Sequence, residues 1–366
     1  MALKKQEKDL SSPKDNLLFL MSYPCLKIYL DKISCNSRVI NMQCSKLGIS
    51  VVGVTKCVLG DVKIAEAMRK SGITIFGDSR LENLERLREF YGQEQPLMML
   101  RSPMISEIER LVEVCNISLN TQLKTIEMIE NTCREKGIEH HIIVMVETDD
   151  RREGLLPEDI VGFCKYIVQN CKAVKLYGLG TNARCVEKNG PNPESLKILL
   201  DLKQKIIKDT GINIPIISGG NSSSWSLIEK EIIPDGVNQV RIGEAILLGH
   251  ETIGYKPIEG AFTDAFLLEA QIIEVKRRNG RVYEIILALG LQDVNSSNIS
   301  CCDSDLYIIG QSSDHTILGI KKAKSRKSED NYLKLETGEI VSFNLNYFGL
   351  LSCMTSPFVK KRYIEG

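Results

Sequence analysis

Three short stretches hold residues whose types and spacing could do chemistry together. The first is Val51-Val52-Gly53-Val54-Thr55-Lys56, an apolar, β-branched run closed by a lysine and followed by a Leu59-Gly60-Asp61 turn. Such a run reads as a buried strand, with the amine half out of water at its end. Desolvation at such a place makes an amine a better nucleophile toward carbonyl carbon. The bland alternative is a lysine that snorkels into solvent. The second stretch is Ser218-Gly219-Gly220-Asn221-Ser222 and the third Arg241-Ile242-Gly243-Glu244. Glycines let backbone N–H groups approach an oxyanion, hydroxyls add donors, and a following helix start adds partial positive charge. Read alone, the second stretch is a turn with an N-cap; paired with the third it reads as a phosphate cradle.

The elements that must position these residues follow from hydrophobic periodicity. Apolar runs at Val51–Thr55, Ile73–Phe76, Leu97–Leu100, Asn116–Leu119, Ile142–Glu147, Lys175–Leu179, Ile214–Ser218 and Gly236–Arg241 alternate with helical spacing. The helical segments are Lys63–Ser71, Leu81–Phe90, Ile105–Val114, Leu123–Lys136, Pro157–Gln169, Pro193–Thr210 and Ser223–Glu231. This alternation predicts a (β/α)8 TIM-type barrel, with a doubly wound open sheet as the competing arrangement. No GxGxxG turn follows the first strand, which argues against a dinucleotide fold. A strand at Cys25–Asp31 and a helix over Ser34–Leu47 precede the alternation. After a linker at Lys256–Gly260 the pattern changes to strands alone: Phe266–Lys276, Val282–Leu289, Leu306–Ile309, Thr316–Ile320, Glu339–Leu345 and Gly349–Thr355. The Asn279-Gly280 pair is a hairpin-turn signal, and the charged stretch Lys321–Asn331 reads as a mobile loop. The expected division is a flexible tail over 1–22, a barrel over 23–255 and a smaller all-β C-terminal domain over 256–366.

In a (β/α)8 barrel the active site forms at the C-terminal strand ends. Lys56, the Ser218 loop and Arg241 therefore share one mouth. A lysine able to form a Schiff base, with a separate phosphate site, is what pyridoxal 5'-phosphate requires. Arg241 would lie near the pyridine nitrogen and, staying charged, keep it unprotonated. Without that context Arg241 reads equally well as half of a barrel ion pair.

Composition narrows the remaining possibilities. The 366 residues carry 47 Lys+Arg and 47 Asp+Glu, so no global field favours nucleic acid or an anionic membrane. The 12 cysteines are scattered, no CxxC occurs, and no His/Cys cluster has zinc spacing, so no metal site is expected. There is no signal-peptide pattern and no apolar run of membrane length, which together with free thiols suggests a reducing cytoplasm.

These segments resemble fold-type III pyridoxal-phosphate enzymes, the alanine-racemase-like barrels, and within them the branch of ornithine racemases and predicted amino acid racemases. The likeness runs from about Tyr23 to Lys360. It rests on Gly53–Lys56, Gly77-Asp78-Ser79-Arg80-Leu81-Glu82-Asn83-Leu84, Arg152-Glu153-Gly154, Gly178–Asn182, Ser218–Ser222 and Arg241–Gly249. In the C-terminal domain it rests on Asp264–Phe266, Ala288–Val294, Ser312–His315 and Met354–Pro357. The resemblance implies a Schiff base on Lys56, which would also move a proton, and Arg241 facing the pyridine nitrogen. It further implies phosphate contacts from Ser218, Gly219, Gly243 and Glu244, the last two through backbone N–H. Asn182 falls where alanine racemases carry a histidine near the cofactor ring. Arg152 matches an arginine that contacts the cofactor's phenolic oxygen or the substrate carboxylate. Asp314 and His315 would reach the active site of the other subunit of a head-to-tail homodimer, with a small amino acid as substrate.

One departure stands out. Racemases of this fold commonly present a second base from the first long hairpin of the β domain. Here that hairpin is only Val275–Val282, with no tyrosine or acid to take a proton. Asp314, His315 and Cys353 are the groups left to substitute. Three readings stay open: a racemase or epimerase, a one-base lyase, decarboxylase or aldolase, and a pyridoxal-phosphate-binding protein without turnover. A basic substrate such as ornithine or lysine would need an acid for its distal amine, from among Asp78, Asp149 and Asp150. Cys57, next to Lys56, reads as a buried small hydrophobe rather than a base.

Overall fold

In the computed structural model, residues 22–365 are described, except 149, 151, 184–189, 279–280 and 322–334. The expected tail, the Asn279-Gly280 turn and most of the charged Lys321–Asn331 stretch lie outside the described residues. The chain forms two compact units. One comprises residues 28–266 and 363–366, the other residues up to 27 and 267–362.

The first unit is a closed barrel of eight parallel strands. They are β2 (Ser50–Val54), β3 (Ile75–Asp78), β4 (Leu97–Met99), β5 (Ile117–Asn120), β6 (His140–Met145), β7 (Val174–Gly180), β8 (Ile216–Ser218) and β9 (Gln239–Ile242). Closure decides between the two arrangements the sequence allows. The last strand pairs with the first, Ser50 opposite Gln239 and Gly53 opposite Ile242, which an open sheet does not do. Side chains alternate across each strand, so one set fills the interior. Val52, Met98, Ile117, Leu119, Ile143 and Met145 form that packed layer, none more than 5% exposed. Phe76, Leu97 and Ile142, one residue out of phase, are buried on the outside of the barrel wall.

The outer ring begins with α1 (Leu30–Lys46), which follows strand β1 (Cys25–Tyr29). It continues with α2 (Val62–Arg69), α3 (Leu81–Tyr91), α4 (Ile108–Val114), α5 (Leu123–Lys136), α6 (Pro157–Asn170) and α7 (Pro193–Thr210). The short helices α8 (Trp225–Glu229) and α9 (Glu244–Leu248) complete it. Local chemistry fixes the boundaries. Asn192 caps α7 by accepting from Ser195 N–H at 2.8 Å, Pro193 takes the first turn, and Gly211 ends the helix in the left-handed region at φ 72°. Leu123–Lys136 and Pro193–Thr210 are helices with the boundaries the sequence predicts.

The second unit is an antiparallel sheet in the order β12 (Ile299–Cys301), β15 (Ile340–Leu345), β10 (Phe266–Arg278), β11 (Arg281–Leu287), β14 (Thr316–Ile320), β13 (Leu306–Gln311). Strands β1 and β16 (Lys360–Ile364) attach off this path. The β10–β11 hairpin is as short as expected: Arg278 pairs with Arg281, and Lys276 and Glu284 form an ion pair at 3.1 Å across it. One expected strand is corrected. Gly349–Thr355 belongs to a helix, α10 (Tyr347–Thr355). Asn346 caps it by accepting from Gly349 N–H at 2.9 Å, and Gly349, Leu350, Cys353 and Met354 are buried at helical spacing. Two strands lie outside the sequence expectation: β12, three residues long, and β16.

His140 opens β6 with no exposed surface. Its Nε2 lies 2.8 Å from Ser118 Oγ, which already accepts from Asn120 Nδ2 at 2.8 Å. The hydroxyl still has its own proton to donate, and it can give it to Nε2 of a neutral ring. Burial pushes the imidazole down to about 4. Because the folded value lies below the unfolded 6.5, the unfolded chain binds the extra proton as pH falls, and stability drops between pH 6.5 and 4. The expected cost is on the order of 3 kcal/mol across that window. A His140→Gln variant should lose that part of the slope when denaturant midpoints of both proteins are compared from pH 7 to pH 4.

Candidate active site

The lysine sits on a turn rather than on the strand itself. Strand β2 stops at Val54, and Thr55 takes φ −100°, ψ −1°. Lys56–Val58 then form one 3-10 turn. The Thr55 carbonyl accepts from Val58 N–H at 2.9 Å and Gly60 N–H at 3.3 Å, which turns the chain away from the barrel wall. Leu59 follows at φ 55° and Gly60 at φ 62°. A leucine held there costs about 1 kcal/mol, so the surroundings must over-determine the turn. The half-buried lysine expected at a strand end is therefore corrected: Lys56 is exposed, while its neighbours Thr55 and Cys57 are buried. Cys57 is the small buried residue foreseen for it. Asp61 closes the turn by capping α2, accepting from Lys63 N–H at 3.0 Å and Ile64 N–H at 3.1 Å. Its other oxygen accepts from the Tyr363 hydroxyl, and the Lys63 amine lies 4.3 Å from the Tyr363 ring centroid. Burial and the Asp61 carboxylate both raise the Tyr363 phenol.

Next to β2 in the closed barrel stands β9, which carries Arg241. This arginine is 4% exposed. Its guanidinium donates to Ser218 Oγ, to the Thr181 carbonyl at 2.6 Å and to Asn182 Oδ1 at 2.8 Å. The ends of β7, β8 and β9 are thereby tied into one planar set of contacts. Asn182 is 8% exposed, and its Nδ2 has no hydrogen-bond partner among the described residues. Ser222 Oγ accepts, at long range, from Gly243 N–H at 3.4 Å and Ala245 N–H at 3.3 Å. The Gly219 N–H donates to the Gln239 carbonyl at 2.8 Å, within the β8–β9 junction. Gly243 is required by packing. A Cβ there would lie 2.9 Å from both Cβ and the carbonyl oxygen of Val54. Glu244 opens α9 and is half-buried.

Lys56, Asn182, Ser218, Gly219, Arg241, Gly243 and Glu244 thus all lie at the C-terminal ends of barrel strands. Arg152 lies beyond β6 on the same end, exposed, in an ion pair with Glu153 at 3.0 Å. Asp314 and His315 lie elsewhere, in the β13–β14 turn of the second unit, both exposed. Their side chains meet at 3.0 Å, and Asp314 also accepts from Ser313 Oγ and Ser312 Oγ. The His315 contact, then the two serines, hold the Asp314 carboxyl below its usual range. The turn rests on the 290–293 loop, where Leu291 and Gln292 N–H donate to the carbonyls of Ser312 and Ser313, each at 3.0 Å. Ser356 Oγ reaches the Gln292 carbonyl at 3.3 Å. Three sequence motifs of the C-terminal domain therefore converge on one place. Cys353 is excluded as a base, because it is fully buried and burial pushes its thiol up to about 12.

Asp78 is also reassigned. The sequence offers it as an acid for a distal amine, yet it has no exposed surface and three protein donors fill its oxygens. Asp149 lies outside the described residues, and Asp150 is 2% exposed in the loop after β6. Sequence reasoning did not single out Thr55, Thr181 or Asn83 for the site. The available signal was position: Thr55 and Thr181 each follow a strand end directly, and Asn83 lies in the first turn of α3.

A closed parallel barrel with a lysine turn beside an arginine-centred donor set, followed by an antiparallel unit, defines a recognised class of protein. Residues 28–251 match the family described as alanine racemase, N-terminal domain. The chain belongs to that family. It is 36% identical to the lysine racemase of Thermotoga maritima, over 94% of this chain and 99% of that one. It is 31% identical to the ornithine racemase of Acetoanaerobium sticklandii, over 93% of this chain and 100% of that one. Among solved structures, the D-threonine aldolase from Filomicrobium marinum superposes with a TM-score of 0.74 at 12% identity, covering 94% of this chain and 91% of its own. An alanine racemase from Streptomyces lavendulae superposes with a TM-score of 0.70 at 15% identity, covering 93% and 97%. These two establish the fold.

Gly243→Ala tests the seam between β2 and β9. The added methyl meets the Val54 backbone, which cannot rotate away, so the strands must part. The variant should lose about 1–3 kcal/mol of stability in urea titration of the cofactor-free protein, with the loss confined to the barrel transition if the two units melt separately.

Proposed function

We propose that this protein is a pyridoxal-phosphate-dependent racemase of a basic amino acid, with lysine and ornithine as first candidates. The observation that carries the reading is likeness over nearly the whole chain to two racemases named for basic amino acids. The likeness includes the second unit, where the motifs around Asp314 converge.

The residues at the barrel mouth fit pyridoxal phosphate. A buried amide nitrogen at Asn182 has no acceptor among the described residues, and it stands beside a fixed guanidinium. This donor-rich set suits an anionic, nitrogen-containing ring. When bound, the cofactor would conjugate the α-carbon of an amino acid to an electron-withdrawing ring and so acidify its α-hydrogen. Lys56 would hold it covalently. Ser218, Gly219 and the backbone N–H groups of Gly243 and Glu244 would surround the phosphate, and Arg152 would meet the phenolic oxygen or the substrate carboxylate.

Each of these residues has a definable task. Arg241 is anchored at Ser218, Thr181 and Asn182, so its charge keeps one orientation while substrates exchange. Lys56 is exposed on a short rigid turn, which lets its amine reach substrate and return to the same place. It takes and gives the α-proton on one face. The opposite face needs another group, and the hairpin residues Val275–Val282 include no tyrosine or acid. The Asp314–His315 pair from a partner subunit of a head-to-tail dimer is our assignment for that face. The aspartate orients the imidazole through the 3.0 Å contact. No helix among the described residues is long and apolar enough to cross a membrane.

Two measurements test this. Purified protein should show a visible cofactor band and exchange the α-hydrogen of lysine or ornithine in deuterated water, and Lys56→Ala should lose the band and at least about 10³-fold in racemisation. Absence of exchange across a broad amino acid panel would refute the reading, whereas carbon dioxide or a carbonyl product would point to the lyase alternative. For the second face, Asp314→Asn combined with His315→Gln should keep single-enantiomer exchange but slow racemisation by about 10²-fold. Unchanged racemisation would remove the pair from the mechanism.

A further inference from the structure

The Gly77–Arg88 segment has a role that the barrel mouth does not account for. Asp78, the last residue of β3, has no exposed surface. A carboxylate in that position is costly unless its oxygens are occupied. One oxygen accepts from the Thr55 hydroxyl at 2.8 Å. The other accepts from Arg80 N–H at 3.0 Å and Asn83 Nδ2 at 3.0 Å. Burial raises the Asp78 carboxyl, and these three donors oppose the shift. Thr55 is the residue before Lys56, and its own N–H donates to the Gly77 carbonyl at 3.0 Å. The grip extends along the turn. The Arg86 guanidinium donates to the Leu59 carbonyl. The Asn83 carbonyl lies against Gly60, where a Cβ would come within 2.6 Å. One continuous segment of chain therefore holds Thr55, Leu59 and Gly60, on both sides of the lysine.

We propose that Asp78, acting through Thr55, is a positioning residue for Lys56. It touches neither cofactor nor substrate. It clamps the turn that carries the amine, so that an exposed, flexible side chain starts from a fixed backbone. The proposal rests on the reading that Lys56 carries the cofactor, and it gives the Gly77–Asn83 motif a physical purpose.

The test compares Thr55→Val, Thr55→Ser and Asp78→Asn in the full-length protein. The first removes the hydroxyl and keeps the shape, the second keeps the hydroxyl, and the third removes the charge. Without cofactor, hydrogen–deuterium exchange of the peptide over 55–61 should quicken about tenfold in Thr55→Val and Asp78→Asn. It should stay near wild type in Thr55→Ser, with the α7 peptide unchanged in all three. Pyridoxal phosphate is then added and the lysine adduct trapped with borohydride and quantified by mass. Trapping at Lys56 should slow about tenfold in the same two variants and recover in Thr55→Ser. Wild-type exchange and trapping in Thr55→Val overturn the proposal, as does a Thr55→Ser variant as impaired as Thr55→Val. No Lys56 adduct in the wild-type protein removes the cofactor reading, while the exchange comparison still decides the clamp. Should Asp78→Asn fail to fold, the two threonine variants carry the decision.

Discussion

The hydrogen bonds between β9 and β2 are the constraint on which the rest depends. They close the sheet into a barrel. They also set side by side the two strand ends that matter chemically, one leading to Lys56 and the other carrying Arg241. The two strands are far apart in the chain and adjacent only because the ladder closes. Gly243 tightens the same junction, since only a glycine lets β9 approach Val54 so closely. Everything at the mouth is built upon that seam: the guanidinium tied across β7, β8 and β9, and the turn that swings the lysine out.

Much of the barrel was legible because its strands are buried on both sides. Runs such as Val51–Thr55 and Leu97–Leu100 have no polar face, and parallel strands with helices outside produce that pattern. The β unit was harder. Tyr347–Thr355 is apolar almost throughout, so its period is masked, and the decisive signal was the cap at Asn346. Strands of three residues, such as Ile299–Cys301, have no period to detect.

The site was legible in outline and illegible in its joints. Lysine, serine–glycine and arginine–glycine stretches at successive strand ends marked the mouth. The reach of Arg241 to Thr181 and Asn182 could not be read, because it depends on how far a side chain leans across neighbouring strands. Nor could the exposure of Lys56, which depends on the strand stopping at Val54 rather than at the lysine. Just past that stop the Thr55 hydroxyl donates to a buried aspartate one strand away, a contact that no local pattern announces. Cys353 shows the opposite case. A thiol near a motif looks reactive in sequence, and burial on a helix makes it inert.

The contact between Tyr363 and Asp61 couples distant parts of the chain in time as well as in space. The two residues are separated by 302 positions, so Asp61 and the lysine turn are synthesised long before the hydroxyl that meets them. A barrel emerging from the ribosome can pair β9 with β2 while the cap of α2 still lacks this partner. The lysine turn therefore reaches its full set of contacts only after the β unit has been made. Until then the nascent barrel has every strand, but not yet every restraint on its reactive amine.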